Sequence, residues 1–396
     1  MAETRLPPAA WTSREDLATL VAALDPAGEG LVRYVGGAVR DTLLGLAVKD
    51  IDMATPLEPP VVIERLTAAG IRSVPTGLAH GTVTALTAGG PVEITTLRRD
   101  VSTDGRHATV AFSQSWQEDA ARRDFTINAL YADPHDLSVH DYFGGLDDLA
   151  ARRLRFIGEA EARIREDYLR ILRYFRFQAR FGSLPADPAA EAACARLAHG
   201  LKGLSRERIA SELLLLLALP NPAPTVWRMT ALGVLTVILP EADAAALPPL
   251  IAAEAAQGTA PEALRRLAAL LPADPATAEL VAARLRLSLA QRKHLALVAA
   301  RTTPEEPARP LAYRVGRAAA LDRLLITGAS LAPLDGWDIP KFPLKGGMIV
   351  ARGVSAGPEV ARLLRTIEAR WVAQGFDDTA IPAMLDAEIG AGSAPV

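Results

Sequence analysis

The chain has 396 residues, half of them hydrophobic, a net charge of −3 and a single cysteine, Cys194. One cysteine excludes an internal disulfide framework and a Cys-rich zinc site, and fits a reducing compartment. The near-neutral total gives no general attraction to nucleic acid, although it leaves room for a local basic stripe. This length and composition predict a globular chain of about two to four domains. The N-terminal stretch has no apolar signal-peptide core, and the longest apolar run (213–220) is too short to cross a bilayer. The expectation is a cytoplasmic protein with no membrane partner and no obligate protein partner.

Residues 31–35, "LVRYV", read as a short strand ending at Gly36-Gly37. "AVRDTLLGL" reads as a short helix, with Val39, Leu43 and Leu46 near helical spacing and Gly45 placed to cap it. "KDIDMAT" reads as a second strand, because Ile51 and Met53 alternate with two aspartates. "PPVVIERLTAAG" reads as a helix ending at Gly70. "GTVTALTAGGPVEITTLRR" reads as a hairpin turning at Gly89-Gly90. After about residue 145 strand signals fade and helical periodicity takes over, most clearly in "AEARIREDYLRILRYFRFQARF". The fold expected is α+β: a mixed sheet with flanking helices, then an all-helical remainder. Composition breaks fall near 145, 205 and 320.

Asp50 and Asp52 are spaced to share one face of a strand. Two hard oxygen ligands suit magnesium, which keeps other positions for water and substrate phosphates. The alternative is a chance pair in a chain with 46 acidic residues. Glu93, in the apolar "PVEITTL" strand, is either a third carboxylate or an edge charge facing water. The pair Gly36-Gly37 between strand and helix lets backbone approach a phosphate, with Arg40 one turn on; the alternative is a plain tight turn. A dinucleotide-binding fingerprint is rejected, since the third spaced glycine is missing. In "EDAARRDFTINALY", Arg122 and Arg123 precede Asp124. Arginine forks match phosphate oxygens, and the alternative is a solvated helix start. In "REDYLRILRYFRF", Arg170, Arg173 and Arg176 follow Asp167 at intervals of three. They form either a functional strip or a set of exposed ion pairs. Residues 151–180 hold nine arginines against four acids, the basic stripe hidden by the net charge.

In this order, "GGAVRDTLLG…KDIDMAT", "ARRDFTINALY", "DYFGGLDDL" and "REDYLRILRYFRF" resemble the successive motifs of the class II tRNA nucleotidyltransferase and bacterial poly(A) polymerase family. The resemblance is close over residues 31–181 and looser through the rest. It implies a polymerase-β-like nucleotidyltransferase head (1–145), then a helical neck (146–205), body (206–320) and tail (321–396), the last two binding RNA. It implies that Asp50 and Asp52 hold catalytic magnesium and that Glu93 is a further catalytic carboxylate. Gly36, Gly37, Arg40 and Arg123 match positions holding the triphosphate, and Asp124 lies near the ribose. Asp167 and Arg170 match the pair that reads the base, assisted by Arg173 and Arg176. The substrates implied are CTP, ATP and the tRNA 3′ acceptor end.

The base-reading pair makes chemical sense. Cytosine and adenine each present an amino donor beside a ring-nitrogen acceptor, whereas uracil and guanine present the reverse. Aspartate accepts and arginine donates, so the pair satisfies C and A and leaves U and G mismatched. Within the family, "VPTGLAHGTVTAL" (74–86) is similar to the CCA-adding enzymes, and the chain lacks a long basic C-terminal extension. Both points favour CCA addition over poly(A) synthesis. Segment 98–112 matches a flexible loop tied to the choice between full and partial CCA addition, which its sequence leaves open. The six scattered histidines argue against a phosphohydrolase domain. A reading from another class, an RNA-binding protein without catalysis, is disfavoured by the presence of both aspartates.

Overall fold

The computed structural model describes residues 4–103 and 108–392. Helix α1 (Glu15–Leu24) leads into β1 (Arg33–Val35), which ends at Gly36. Helix α2 (Gly37–Leu43) follows at once, and β2 (Ile51–Thr55) runs back antiparallel to β1. Next come α3 (Pro59–Ala68), β3 (Ser73–Gly77), β4 (Thr82–Thr87) and β5 (Gly90–Thr96). The expected hairpin is β4–β5; Thr87 pairs with Gly90, so it turns at Ala88-Gly89, one residue earlier than expected. β6 (Arg98–Thr103) and β7 (Ala108–Phe112) make a separate two-stranded ladder. This ladder occupies the segment compared above to a flexible loop, and its residues 104–107 lie outside the described residues. Helix α4 (Trp116–Ala121), β8 (Leu130–Ala132) and β9 (Val139–Asp141) complete the sheet-bearing part.

The main sheet has seven strands in the order β3-β4-β5-β2-β1-β8-β9, with β2 and β5 parallel and the other neighbours antiparallel. Its register sets Asp52 opposite Val35 on one side and opposite Glu93 on the other. Ile51 and Met53 are buried while Asp52 is half-exposed, the alternation read from "KDIDMAT". Asp50 differs slightly from expectation: it sits just before the strand, not within it. Val35, Ala54, Leu97, Ala120, Ala129, Tyr131 and Ile157 pack into one core cluster around β1 and β2. Two adjacent His–Asp pairs occur, His135-Asp136 and His140-Asp141, the second of them in β9. There the Asp141 carboxylate accepts backbone N–H groups of Phe143, Gly145 and Leu146, a turn-forming role.

The remainder is helical, as expected. It begins with α5 (Gly145–Ala150), α6 (Ala160–Glu166), α7 (Leu169–Phe181), α8 (Pro188–Leu197), α9 (Arg206–Leu217), α10 (Ala223–Ala231) and α11 (Val234–Ile238). The stretch read as one period over 160–181 is two helices. Asp167 is extended (φ −153°, ψ 106°) and ends α6, while its carboxylate accepts the Leu169 N–H at 3.1 Å. A short polar side chain that bonds nearby backbone competes with helix continuation, and the break follows. α7 buries Ile171, Leu172, Tyr174 and Phe175 and leaves its arginines as a polar stripe.

Contacts divide the chain into two compact units, residues 1–240 and 241–396. The second comprises α12 (Leu247–Ala256), α13 (Ala263–Leu270), α14 (Pro275–Arg284), α15 (Leu289–Ala299), α16 (Ala308–Val315), α17 (Arg317–Ile326), α18 (Gly346–Val350), α19 (Pro358–Ala373) and α20 (Ile381–Gly392). One of its cores gathers Ile349, Leu363, Ile367 and Trp371. Between α12, α13 and α17, buried Arg265 bonds both Glu254 and Asp322, and Arg266 bonds Glu254. No helix of the described residues is long and apolar enough to cross a membrane.

Candidate nucleotide and metal site

In the first unit a cavity of about 610 Å³ opens where β1, β2, α6 and α7 converge. It gathers residues from across 140 positions of sequence: Gly36, Gly37, Arg40, Asp50, Asp52, Arg123, Asp124, Asp167, Arg170, Arg173 and Arg176 all line it. Of the residues singled out in the sequence, only Glu93 does not line it. Glu93 stands beside Asp52 in the β2–β5 register and is exposed.

The glycine pair positions the first wall. Gly36 has φ +69°, a conformation that favours glycine, and its N–H bonds the Leu130 carbonyl at 3.1 Å. That turn aims α2 at the cavity. Arg40, in its first turn, is buried, bonds Asp41 at 2.8 Å and Asn128, and lies 4.1 Å over the Phe181 ring. Its guanidinium is therefore fixed before any ligand arrives.

Asp50 and Asp52 differ from the other acids around the cavity. Among the described residues neither carboxylate has a hydrogen-bonded or ion-paired protein partner. Burial, together with the negative charge of Glu93 and Asp50, pushes Asp52 up to about 6, with Arg123 opposing. Such a group carries uncompensated negative charge, which a cation would relieve. No group of three or more His, Cys, Asp or Glu among the described residues forms a closed metal cage. Two free carboxylates at an open, arginine-lined cavity fit magnesium, which takes one or two carboxylates and completes its shell with water and phosphate oxygens.

The other acids are engaged. Fully buried Asp119 accepts the Tyr131 hydroxyl at 2.7 Å and pairs with Arg122 at 2.7 Å and Arg123 at 3.1 Å. Burial pushes its carboxyl up, but the two arginines outweigh that and hold it down at about 2. Asp119 thereby aims Arg123 toward Gly36, where a Cβ would stand 3.6 Å from the guanidinium, in ordinary contact. Asp124 has both oxygens occupied: one by the Phe125 N–H and Asn128 amide, the other by Arg173 at 2.5 and 2.8 Å. Against the cost of burial, Arg173 keeps it ionised and below its ordinary range.

Asp167 and Arg170 both line the cavity and each is held separately. Asp167 accepts Arg208 of α9 at 2.6 Å. Arg170 bonds Glu166 at 2.5 Å and the Arg163 carbonyl at 2.7 Å. Arg163 also donates to the backbone carbonyls of Arg122 and Arg123, so α6 is tied to the segment that carries the phosphate-matching arginines. Arg173 and Arg176 flank Phe177 and both reach Glu212 of α9. The stripe of nine arginines thus divides: some line the cavity, while Arg153, Arg155 and Arg165 pair with acids away from it.

Sequence reading missed Asn128, Phe177, Arg208 and Glu212. Asn128 is legible only as part of "RDFTINA", where its spacing from Asp124 gives no hint of a contact with Arg40, 88 residues away. Arg208 and Glu212 lie on a helix with ordinary polar-face spacing, and only the packing of α7 on α9 reveals them.

Residues 32–155 match the family described as Poly A polymerase head domain, and residues 186–246 match the probable RNA and SrmB-binding site of polymerase A. The human mitochondrial CCA tRNA nucleotidyltransferase 1 is 36% identical over 366 residues, covering 87% of this chain and 83% of that protein. A CCA-adding enzyme of Leuconostoc citreum is 43% identical over 181 residues, 45% of this chain and 43% of that one. Among solved structures, the Bacillus stearothermophilus CCA-adding enzyme in complex with CTP superposes with a TM-score of 0.77 at 25% identity, over 96% of this chain and 98% of the other. A Thermotoga maritima CCA-adding enzyme complexed with tRNA shares the fold, with a TM-score of 0.70 at 20% identity over 95% and 94% of the two chains. The identity sustained along most of the chain and the matched polymerase head agree with the cavity's chemistry, and the chain belongs to the family of CCA tRNA nucleotidyltransferases and poly(A) polymerases.

Proposed function

We propose that this protein adds C, C and A to the 3′ end of tRNA without a nucleic-acid template, from CTP and ATP, releasing pyrophosphate. The observation that carries this reading is one cavity in which two unpartnered aspartates share the walls with Asp167 and six arginines, Arg170 among them. The likeness to enzymes named for CCA addition supports the same activity here.

In this reading Asp50 and Asp52 hold magnesium, with Glu93 beside them. When bound, the metal would activate the RNA 3′-hydroxyl and offset charge on the departing pyrophosphate. Arg40 and Arg123, already fixed by Asp41, Asn128 and Asp119, bind the triphosphate with little loss of side-chain freedom. The backbone at Gly36-Gly37 lets the phosphates come close. Asp167 accepts from the amino group of C or A, and Arg170 donates to the neighbouring ring nitrogen. U and G would face donor to donor, and each lost bidentate match costs about 1–3 kcal/mol. In-line attack on the α-phosphate then depends on positioning and charge stabilisation, with no covalent intermediate.

We assign residues 1–145 to the catalytic head, 146–205 to the neck, and 206–320 and 321–396 to RNA-binding body and tail. The setting proposed is the cytoplasm. The test offers tRNA lacking its terminal CCA, with magnesium and one labelled nucleotide at a time. Incorporation of C and then A, with a stop after three additions, is expected. Long A tails on many RNAs would replace this reading with poly(A) synthesis, and no incorporation would leave RNA binding alone.

A further inference from the structure

A second cavity, of about 430 Å³, shares no lining residue with the first. Its walls include Arg152, Arg153, Arg155, Ser183, Pro185 and Pro188. It borders a different face of α7: Gln178, which lines it, is five residues on from Arg173 and so about 140° round the helix.

The charges on its walls do not cancel. Arg153 (2.5 Å) and Arg155 (2.9 Å) share one carboxylate, that of fully buried Asp148. Asp187, an acid on the wall itself, accepts the N–H groups of Ala189 and Ala190 and caps α8. Arg152 has no carboxylate partner among the described residues. One exposed guanidinium is left over.

Arg152 also stands where another residue would cost less. It follows the C-terminus of α5 with φ +49°, its N–H on the Leu149 carbonyl and the next N–H on the Asp148 carbonyl. This is the glycine position of a Schellman cap, and a left-handed non-glycine residue costs about 1 kcal/mol or more. The Ser183 N–H, at 2.8 Å, pins the Arg152 carbonyl, so the strained backbone is held and its side chain is presented at the cavity. An unpaired arginine retained at a glycine position points to a use for its charge.

We propose that this cavity holds a ribose-phosphate unit of the bound tRNA, away from the nucleotide site. Arg152, aided by Arg153, takes the phosphodiester, and the Pro185 and Pro188 faces lie against the sugar or base. The volume suits one nucleotide unit. Arg153 and Arg155 remain 54% and 42% exposed, which suits a strand passing along the surface. The proposal rests on the reading of tRNA as substrate.

The test uses the full chain and Arg152→Gly, which removes the guanidinium and suits the backbone, so folding is retained. Binding of CCA-lacking tRNA is measured without CTP or ATP across a salt series. The expected result is a loss of affinity of about fivefold and a log–log salt slope shallower by about 0.7–0.9. The KM for CTP and kcat at saturating tRNA stay unchanged, and Arg152→Lys restores most of the affinity. Unchanged tRNA affinity and slope in Arg152→Gly would overturn the proposal. So would calorimetric binding of AMP or inorganic phosphate that Arg152→Gly abolishes while tRNA affinity stays put, since the ligand would then be a free nucleotide. An Arg152-dependent tRNA affinity in a protein that adds no C or A would uphold this site and sink only the catalytic reading.

Discussion

Arg208 of α9 places Nη2 2.6 Å from Asp167 Oδ2, across 41 residues of sequence. The contact reaches the junction where α6 ends and α7 begins, so it fixes a side chain that no regular helix holds. The other Asp167 oxygen accepts the Leu169 N–H. With these two bonds the carboxylate keeps one orientation toward the cavity. Arg208→Ala should leave Asp167 free to rotate. Both side chains are partly exposed, so the expected effect is about 1 kcal/mol, or roughly five- to tenfold. It should appear as a lower kcat/KM for CTP and ATP and a narrower margin over UTP and GTP, with tRNA affinity unchanged. Arg208→Lys should recover part of the margin. A loss of rate with the nucleotide preference intact would contradict this role.

Asp52 is predicted to trade stability for function. At pH 7.5 it is mostly ionised, beside Glu93 and Asp50 and partly buried. Asp52→Asn removes that repulsion and should stabilise the metal-free protein by about 1–2 kcal/mol, given a rise of about two pH units above the ordinary aspartate value. Nucleotide addition should disappear in the same variant while tRNA binding persists. Denaturant unfolding with chelator and single-turnover assays measure the two effects. A variant that is both active and no more stable would remove Asp52 from the metal site.

Glu93→Gln separates two uses of the neighbouring carboxylate. If Glu93 helps hold the metal, the variant should need more magnesium for half-maximal rate, by about tenfold. If it acts only through its charge on Asp52, the magnesium requirement should fall, because Asp52 then ionises more readily. The first outcome is expected, since the register sets Glu93 directly beside Asp52.

What the sequence reveals is what depends on local spacing. The β1–Gly36–α2 turn and the β4–β5 hairpin are local features, and both were legible. So was Asp52, because β2 alternates with period two, although Asp50 falls just before the strand. The break at Asp167 was not legible: the apolar period continues through it, and the side-chain bond to Leu169 that ends α6 leaves no mark on that period. The partners of the arginines were hidden for a different reason. Arg170 with Glu166 is a helical neighbour pair visible in "REDYLR", but Arg173 with Asp124 spans 49 residues and exists only after α7 packs beside the head. A count of basic residues therefore overstated the free positive charge of the stripe.

Gly145 tests the "DYFGGLDDL" motif, whose role is structural. A Cβ there would lie 2.3 Å from the Thr126 carbonyl oxygen, which is backbone and cannot swing away. The same junction is tied by the Thr126 hydroxyl on Asp148 at 2.6 Å. Gly145→Ala must push α5 away from the segment that follows Arg123 and Asp124. A loss of about 1–3 kcal/mol in unfolding free energy is expected. Because the displaced segment is continuous with Arg123 and Asp124, KM for nucleotide should rise as well. A stable variant with normal KM would show that the two segments are not mechanically coupled.

The second unit offers a pH test independent of the nucleotide site. His294 of α15 bonds buried Asp322 at 2.7 Å, and Asp322 also accepts Arg265 at the same distance. The bond to Asp322 raises the His294 pKa above its ordinary value of 6.5, with burial opposing. A histidine whose folded pKa is raised stabilises fully below the unfolded value and loses that contribution as pH rises through the folded value. His294→Gln keeps a donor for Asp322 but cannot carry the charge. Wild type should therefore exceed His294→Gln in stability by about 1 kcal/mol at pH 6. The difference should shrink as pH rises through the raised folded value. Thermal or urea unfolding across a pH series measures it. A gap independent of pH would mean that the imidazole acts by packing alone, and a gap that widened with pH would mean that His294 is held neutral against Asp322.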